Sequence, residues 1–207
     1  MPSPIGGRSA VSTVATIKPA SKARVGAGSI LLSARTTYGA GQILAYFAGD
    51  HATGLGLIDR ALTLNDNSAL AWCARGYVLI FANQGEPAIE SFSNAMRLNP
   101  FDPLGFMLKT GMAGAHMIAR RFEGAMTWID KSLQAHPGNP VALRWKTSLC
   151  GHLGKTEEGQ RCVQDLLSLY PGVTIKGYER RSPLAITSPG MLSILLDGSR
   201  KAGLPEQ

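Results

Sequence analysis

The chain has 207 residues, of which 44% are hydrophobic and 17% are charged. That balance supplies enough apolar side chains for a packed core and excludes a chain that is disordered throughout. The net charge of +7 is typical of nucleic-acid-binding proteins when it is spread over a fold. Here residues 1–49 hold five basic and no acidic residues, so most of the positive charge lies in this segment. The composition therefore disfavours nucleic acid as a partner of the folded part.

Residues 1–34 are rich in Ser, Ala and Gly and show no helical periodicity. This composition predicts a disordered basic tail, or a truncation boundary, in preference to a targeting segment. Binding of this tail to nucleic acid or to an anionic membrane is a further hypothesis, which strong salt dependence would reveal. No apolar run reaches the roughly 18 residues that a membrane helix needs, so we expect no membrane partner.

The remaining chain carries an internal repeat. Asp66, Pro100, Pro137 and Pro171 each follow an apolar-periodic run, and they are spaced by 34, 37 and 34 residues. A period near 34 residues is typical of stacked helical hairpins. The spacing predicts four units, which span residues 35–66, 67–100, 101–137 and 138–171.

The second unit carries the most specific pattern. Trp72 and Gly76 lie in its first predicted helix, Ala88 and Phe92 lie in its second, and Pro100 ends the unit. Small residues let two helices approach closely, the aromatic rings fill the space around that contact, and proline cannot continue the helix. This unit resembles the tetratricopeptide repeat (TPR), and the other units are weaker copies. The resemblance implies an all-α solenoid of about four helical hairpins.

The repeat pattern stops after Pro171. Residues 172–187 predict an irregular connector, and Ser188 and Pro189 are the expected start of a last amphipathic helix, since Ser favours the N-cap and Pro the first helical turn. A terminal repeat exposes an apolar face. We therefore expect residues 172–207 to form a connector and a capping helix.

Catalytic signatures are missing from the sequence. There is no complete phosphate loop, zinc-binding HExxH pair or GxSxG nucleophile elbow. The four histidines are scattered and the three cysteines form no CxxC pair, whereas zinc needs three or four ligands gathered together. We therefore expect no enzymatic activity, no cofactor and no metal. A sparse, odd set of cysteines is typical of a reducing compartment, which indicates a cytoplasmic protein.

The TPR resemblance implies a groove for a protein or peptide partner, lined by the first helix of each hairpin. The groove positions are mainly apolar, so we expect an amphipathic helix or an apolar strip as the ligand; packing between repeats is the alternative role for each residue. These positions are Ile43, Tyr46, Leu70, Cys73, Tyr77, Ile80, Leu104, Met107, Val141, Arg144 and Ser148.

One known mode of TPR binding does not match these residues. TPR domains that hold a C-terminal carboxylate use Lys and Asn at groove positions. Gly39, Ile43, Cys73 and Tyr77 occupy the corresponding places here. We therefore expect no carboxylate clamp of that type.

Three stretches resemble a more specific group, the C-terminal TPR region of bacterial adenylate/guanylate cyclase-like regulators: 62–72, 98–104 and 200–206. The resemblance implies a regulatory module of a bacterial signalling protein. The chain has no room for a cyclase catalytic domain, so we expect no synthesis of cyclic nucleotides. A non-catalytic scaffold for protein–protein interaction is the leading hypothesis, and a fragment or remnant of a cyclase-like enzyme is the alternative.

Overall fold

The computed structural model describes residues 39–103 and 105–207. Within these ranges every regular element is a helix. A helical stretch at 39–43 continues as the π-helical turn Leu44–Ala48, and ten α-helices follow. They are α1 (His51–Leu64), α2 (Ala69–Phe81), α3 (Gly85–Leu98), α4 (Gly105–Ile118), α5 (Phe122–Ala135), α6 (Pro140–His152), α7 (Thr156–Leu169), α8 (Ile175–Arg181), α9 (Leu184–Thr187) and α10 (Pro189–Lys201). The basic tail predicted at 1–34 lies outside the described residues.

The helices up to α7 form four consecutive hairpins. The π-helical turn pairs with α1, and the later pairs are α2 with α3, α4 with α5, and α6 with α7. Neighbouring pairs stack through contacts of α1 with α2, α3 with α4, and α5 with α6. This arrangement confirms the predicted all-α solenoid of about four repeats.

Polar side chains mark the start of the first helix in the second and fourth hairpins. Ser68 accepts a hydrogen bond from the backbone N–H of Ala71 at the start of α2. Asn139 accepts from the N–H groups of Val141 and Ala142 at the start of α6, where Pro140 occupies the first turn. These side chains satisfy N–H groups that have no partner within the helix. Local sequence therefore sets where the second and fourth units begin.

The turn inside each hairpin has a recurring backbone conformation. Gly49, Asn83, Arg120 and Gly154 all have positive φ angles, between 59° and 69°. Their spacing of 34, 37 and 34 residues matches the period of the sequence repeat. A left-handed residue directly after a helix ends it and reverses the chain, so the same turn closes all four hairpins.

The core of the second repeat is built as its motif predicts. Phe92 is fully buried and its ring lies against Gly76, where an added Cβ would come within 2.7 Å of Cζ. Gly111 of α4 contacts the same ring. Ala88 is also fully buried. The two glycines therefore allow one phenylalanine to pack between two successive first helices.

The C-terminal segment (residues 172–207) differs from the prediction in part. Two short helices, α8 and α9, lie where we expected an irregular connector. The last helix, α10, is present, and Ser188 is at its N-cap position, but the Ser188 side chain makes no capping hydrogen bond. Thr174 does cap α8, because its side chain accepts from the N–H of Gly177 at 3.0 Å.

Helix α10 lies along the inner face of the solenoid, which we define as the face presented by α2, α4 and α6. It packs mainly against α6 and also contacts α4 and α2. Leu192 and Leu196 cluster with Val163 and Leu166 of the terminal pair, which is the capping role expected of this helix. The opposite side of α10 is also apolar and joins the main core. A helix with two apolar sides needs cover on both, so α10 both caps the solenoid and fills part of its inner face.

Candidate binding cavity

A cavity of about 450 Å³ lies between the inner face and the C-terminal segment. Helix α9 contacts the π-helical turn of the first unit, so the C-terminal segment extends from the last repeat back to the first. The cavity is what remains of the inner face beside α10. Its lining consists of Tyr46, Tyr77, Phe81, Val141, Arg144, Trp145, Pro171, Gly172, Val173, Thr174, Gly177, Tyr178, Arg181, Ser182, Pro183 and Leu184.

Aromatic rings form the wall on the repeat side, and their contacts hold them in place. The rings of Tyr46 and Phe81 lie 5.5 Å apart. Tyr77 donates a hydrogen bond from its hydroxyl to the backbone carbonyl of Met107 at 2.8 Å, and burial raises the pKa of this hydroxyl. Its ring packs edge-on against Phe92. Trp145 is largely buried, at 8% exposed. Contacts within the protein therefore hold this wall in place without a ligand.

Arg144 brings a positive charge to the cavity. Its Nη1 donates a hydrogen bond to the hydroxyl of Tyr178 at 2.7 Å. The guanidinium carbon lies 5.8 Å from the ring centre of Tyr170 and 5.4 Å from that of Tyr178. Such contacts with ring faces favour a cation. Burial raises the pKa of Tyr178, and the charge of Arg144 partly opposes that effect.

The C-terminal end of the chain fixes the other wall. The backbone N–H of Ile175 donates to the carbonyl of Pro205, and that of Lys176 donates to the carbonyl of Glu206. Arg200 forms ion pairs with Glu179 and Glu206, both at 2.9 Å. Helix α8 is therefore anchored by the residues that follow α10, although it has only seven residues.

The structure brings four of the predicted groove residues to this cavity: Tyr46, Tyr77, Val141 and Arg144. Three others are exposed but lie outside its lining, namely Ile43, Leu70 and Met107. Leu104 lies outside the described residues.

Cys73 is half-buried against the main core. Burial raises the pKa of its thiol to about 12. Cys73 therefore contributes to core packing. It is not among the residues that line the cavity.

Two predicted groove residues face the interior instead. Ile80 is only 1% exposed and belongs to the same cluster as Ile194 of α10. Ser148 is fully buried, and its hydroxyl donates to the backbone carbonyl of Ile194 at 3.2 Å. The structure therefore places these two side chains beneath α10 and not on an open part of the inner face.

Sequence reasoning missed several lining residues. Phe81 and Trp145 belong to first helices but are not among the expected groove positions. Tyr178 and Arg181 lie in α8, within the stretch predicted to be irregular. Signals for that helix are present in the sequence, since Thr174 is a good N-cap residue and basic residues favour a helix C-terminus.

In the part of the chain that the structure describes, no three or more His, Cys, Asp or Glu side chains are grouped so that they could hold a metal ion. No helix among the described residues has the length and apolarity to cross a membrane. The geometry around the cavity offers rings, hydrogen-bonding groups and cations, which are features of recognition.

Comparison with known proteins supports the architecture. No protein-family model and no curated protein matches the sequence. Among solved structures, the chain is similar to TTC0263, a thermophilic TPR protein of Thermus thermophilus, with 19% identity and a TM-score of 0.58 over 82% of this chain and 89% of that one. YrrB, described as a TPR protein with an unusual peptide-binding site, gives 15% identity and a TM-score of 0.55 over 82% and 86%.

A structure of MamA gives 14% identity and a TM-score of 0.59 over 84% of this chain and 91% of that one. These identities are low, so the similarity bears on the fold. Stacked hairpins, the 34-residue period and these structural neighbours agree with one another. The chain has the TPR helical-solenoid fold.

Proposed function

We propose that this protein is a non-catalytic scaffold that binds a short segment of a partner protein in the cavity between its inner face and its C-terminal segment. The observation that carries the proposal is the cavity itself, with a volume of about 450 Å³ and a largely aromatic wall. Ligand sites in proteins have volumes of about 300–1,000 Å³ and combine apolar walls with a few polar groups.

The cavity limits the kind of segment that can bind. A long amphipathic helix is one expected ligand, but α10 already packs on the inner face, mainly on α6 and also on α4 and α2. The remaining volume accommodates a few side chains, so we favour the other expected ligand, a short apolar strip. Since the walls are held by hydrogen bonds and ring contacts, the scaffold itself loses little conformational entropy on binding. A structural neighbour with a peptide-binding site supports a peptide ligand.

The experiment is a capture of partners from lysate of the source cells on the immobilised full chain, with mass spectrometry as the readout. The test variant is Val141→Trp, which places a large ring in the cavity. The matched control is Gln160→Trp, which adds the same ring at an exposed position of α7, away from the cavity lining.

We expect a specific partner on the wild-type chain and on Gln160→Trp, and its loss on Val141→Trp. Equal retention on all three proteins would place the binding surface elsewhere. Absence of any specific partner from all three would contradict the scaffold proposal.

A second candidate places the module in a cyclase-like signalling system of bacteria. It rests on the resemblance of residues 62–72, 98–104 and 200–206 to the TPR region of such regulators. The same capture tests it, because a partner that carries a cyclase catalytic domain would favour it and an unrelated partner would not. Cytoplasmic location stays a prediction, which the three free cysteines support.

A further inference from the structure

The charge on the cavity wall has no counter-charge beside it. Arginine remains protonated at any physiological pH, so Arg144 carries a full positive charge. Arg181 adds a second one at the end of α8. Among the described residues that line the cavity, none is acidic. No ion pair within the described part of the chain includes Arg144.

The hydrogen bonds of Arg144 are also incomplete. Nη1 binds the Tyr178 hydroxyl, but Nε is buried and has no hydrogen-bond partner. A guanidinium has five N–H donors and is most strongly satisfied by a carboxylate, which can accept two of them at once. A partly buried cation without an acidic partner is costly to keep, so an incoming carboxylate gains from the charge of Arg144.

The surroundings of Arg144 specify what must accompany that carboxylate. Val141 lies one helical turn before it on α6, and Trp145 follows it directly; both line the cavity. Tyr77 faces the same space from α2. When the anion of a ligand binds Arg144, the groups on either side of that anion therefore contact the rings of Trp145 and Tyr77 and the aliphatic side chain of Val141.

We infer that the segment bound in the cavity carries an Asp or Glu side chain beside an aromatic or large aliphatic residue, with the carboxylate on Arg144 and the apolar neighbour against Trp145 and Tyr77. This inference rests on the proposed function and adds the chemistry of the ligand. The anion site is formed by α6 and α8, and thus depends on the C-terminal segment as well as on the repeats. Arg144 itself is not one of the Lys and Asn positions of the known carboxylate clamp, which hold Gly39, Ile43, Cys73 and Tyr77 here.

The test is a selection of random heptapeptides displayed at the N-terminus of a phage coat protein, so that no peptide has a free C-terminal carboxylate. Four full-length proteins serve as targets: the wild type, Arg144→Gln, Val141→Trp and Arg161→Gln. Arg161 is an exposed arginine of α7 outside the cavity lining, so its variant is the control for loss of one positive charge.

We expect the wild type and Arg161→Gln to enrich peptides with Asp or Glu next to an aromatic or large aliphatic residue. Arg144→Gln should enrich apolar peptides without the acidic residue, and Val141→Trp should enrich none. Enrichment of acid-free peptides by the wild type would overturn the inference and leave the proposed function intact. Failure of the wild type to enrich any peptide beyond Val141→Trp would contradict the proposed function as well.

The affinity of the best selected peptide gives a second, independent measure. Replacing its acidic residue by the corresponding amide should weaken binding to the wild type on the order of tenfold or more. This arm needs no protein variant, so it holds even if Arg144→Gln folds poorly. A double-mutant cycle combines this change in the peptide with Arg144→Gln in the protein. The amide peptide should bind Arg144→Gln almost as well as it binds the wild type, because both changes remove the same contact. Full additivity of the two losses would show that the carboxylate binds elsewhere.

Discussion

The ring of Phe92 lies directly on the backbone of Gly76, and a Cβ atom at position 76 would be 2.7 Å from Phe92 Cζ. The ring has little room to move, because Gly111 of the next repeat contacts the same end of the ring and Phe92 is fully buried. One side chain thus joins two repeats, and both glycines are needed for it. The packing between the second and third repeats therefore depends on the absence of a side chain at position 76.

Replacement of Gly76 by Leu should lower the free energy of unfolding by about 1–3 kcal/mol, since overpacking of the core outweighs the better helix propensity of Leu. Urea unfolding followed by circular dichroism measures this. Gly56→Ala is the matched control, because it is a glycine within α1 whose added Cβ would meet nothing within 4 Å. That variant should gain about 0.5–1 kcal/mol from helix propensity alone. Similar effects of both substitutions would contradict the packing described for Phe92.

The docking of α10 depends on a still closer approach. A Cβ atom at Gly198 would collide with the backbone carbonyl of Ser148, and one at Gly151 would collide with the carbonyl of Gly198. A backbone neighbour cannot turn aside as a side chain can. Gly198→Ala should therefore lower the free energy of unfolding by about 3 kcal/mol, even though only a methyl group is added.

Ser193→Ala provides the comparison for α10, because Ser193 is exposed on the same helix. It should change the free energy of unfolding by no more than about 0.5 kcal/mol. A similarly small effect at Gly198 would mean that α10 lies farther from α6 than the structure places it.

The hairpins could be predicted from the sequence because their determinants are local. Trp72 and Gly76 are four residues apart on one helix, and the period of the turns repeats the period of the motif. Residues at helical spacing share a face, so the pattern already predicts which side chains of the two helices in a hairpin pack against each other. This is why both the fold and the core around Phe92 agreed with expectation.

The candidate cavity depends on contacts between distant parts of the chain, and those are not visible in a local pattern. Arg144 is an expected groove residue, but its hydrogen-bond partner Tyr178 is 34 residues later, in a stretch without repeat periodicity. The run from Met191 to Leu196 does indicate a helix with two apolar sides. The surfaces that this helix covers are set by the close approach of Gly198 to Ser148. No sequence pattern in either helix predicts that pairing.

The recurring turn offers a test of the repeat from its backbone conformation. Arg120 has φ 59° in the position where Gly154 has φ 67° one repeat later. The left-handed conformation costs a non-glycine residue roughly 1–2 kcal/mol, and the greater freedom of glycine in the unfolded chain offsets part of this difference. Arg120→Gly should therefore raise the free energy of unfolding by about 0.5–1 kcal/mol.

The reciprocal substitution, Gly154→Arg, should lower the free energy of unfolding by a similar amount. Thermal unfolding of the two variants beside the wild type measures both effects. Opposite shifts of the melting temperature are expected. A loss of stability in Arg120→Gly would mean that its side chain contributes more through its own contacts than its backbone costs.

His116 predicts how stability depends on pH. Burial lowers the pKa of its imidazole, the charge of Arg121 lowers it further, and Glu86 opposes these effects. Its Nδ1 is buried without a hydrogen-bond partner and lies close to Gly124 of α5. The folded protein therefore binds a proton at this site only below the ordinary histidine pKa of about 6.5, whereas the unfolded chain binds it near that value.

Below pH of about 6.5 the unfolded chain binds more protons at this site than the folded protein does. The contribution of neutral His116 to the free energy of unfolding is therefore complete above pH of about 6.5 and is lost as the pH falls through that value. His116→Gln should remove this contribution. Its free energy of unfolding should thus fall less than that of the wild type between about pH 7.5 and 5.5, as measured by urea unfolding at each pH. His136→Gln is the control for loss of an exposed imidazole. A wild-type pH dependence in His116→Gln would show that the buried imidazole is protonated as readily in the folded protein as in the unfolded chain.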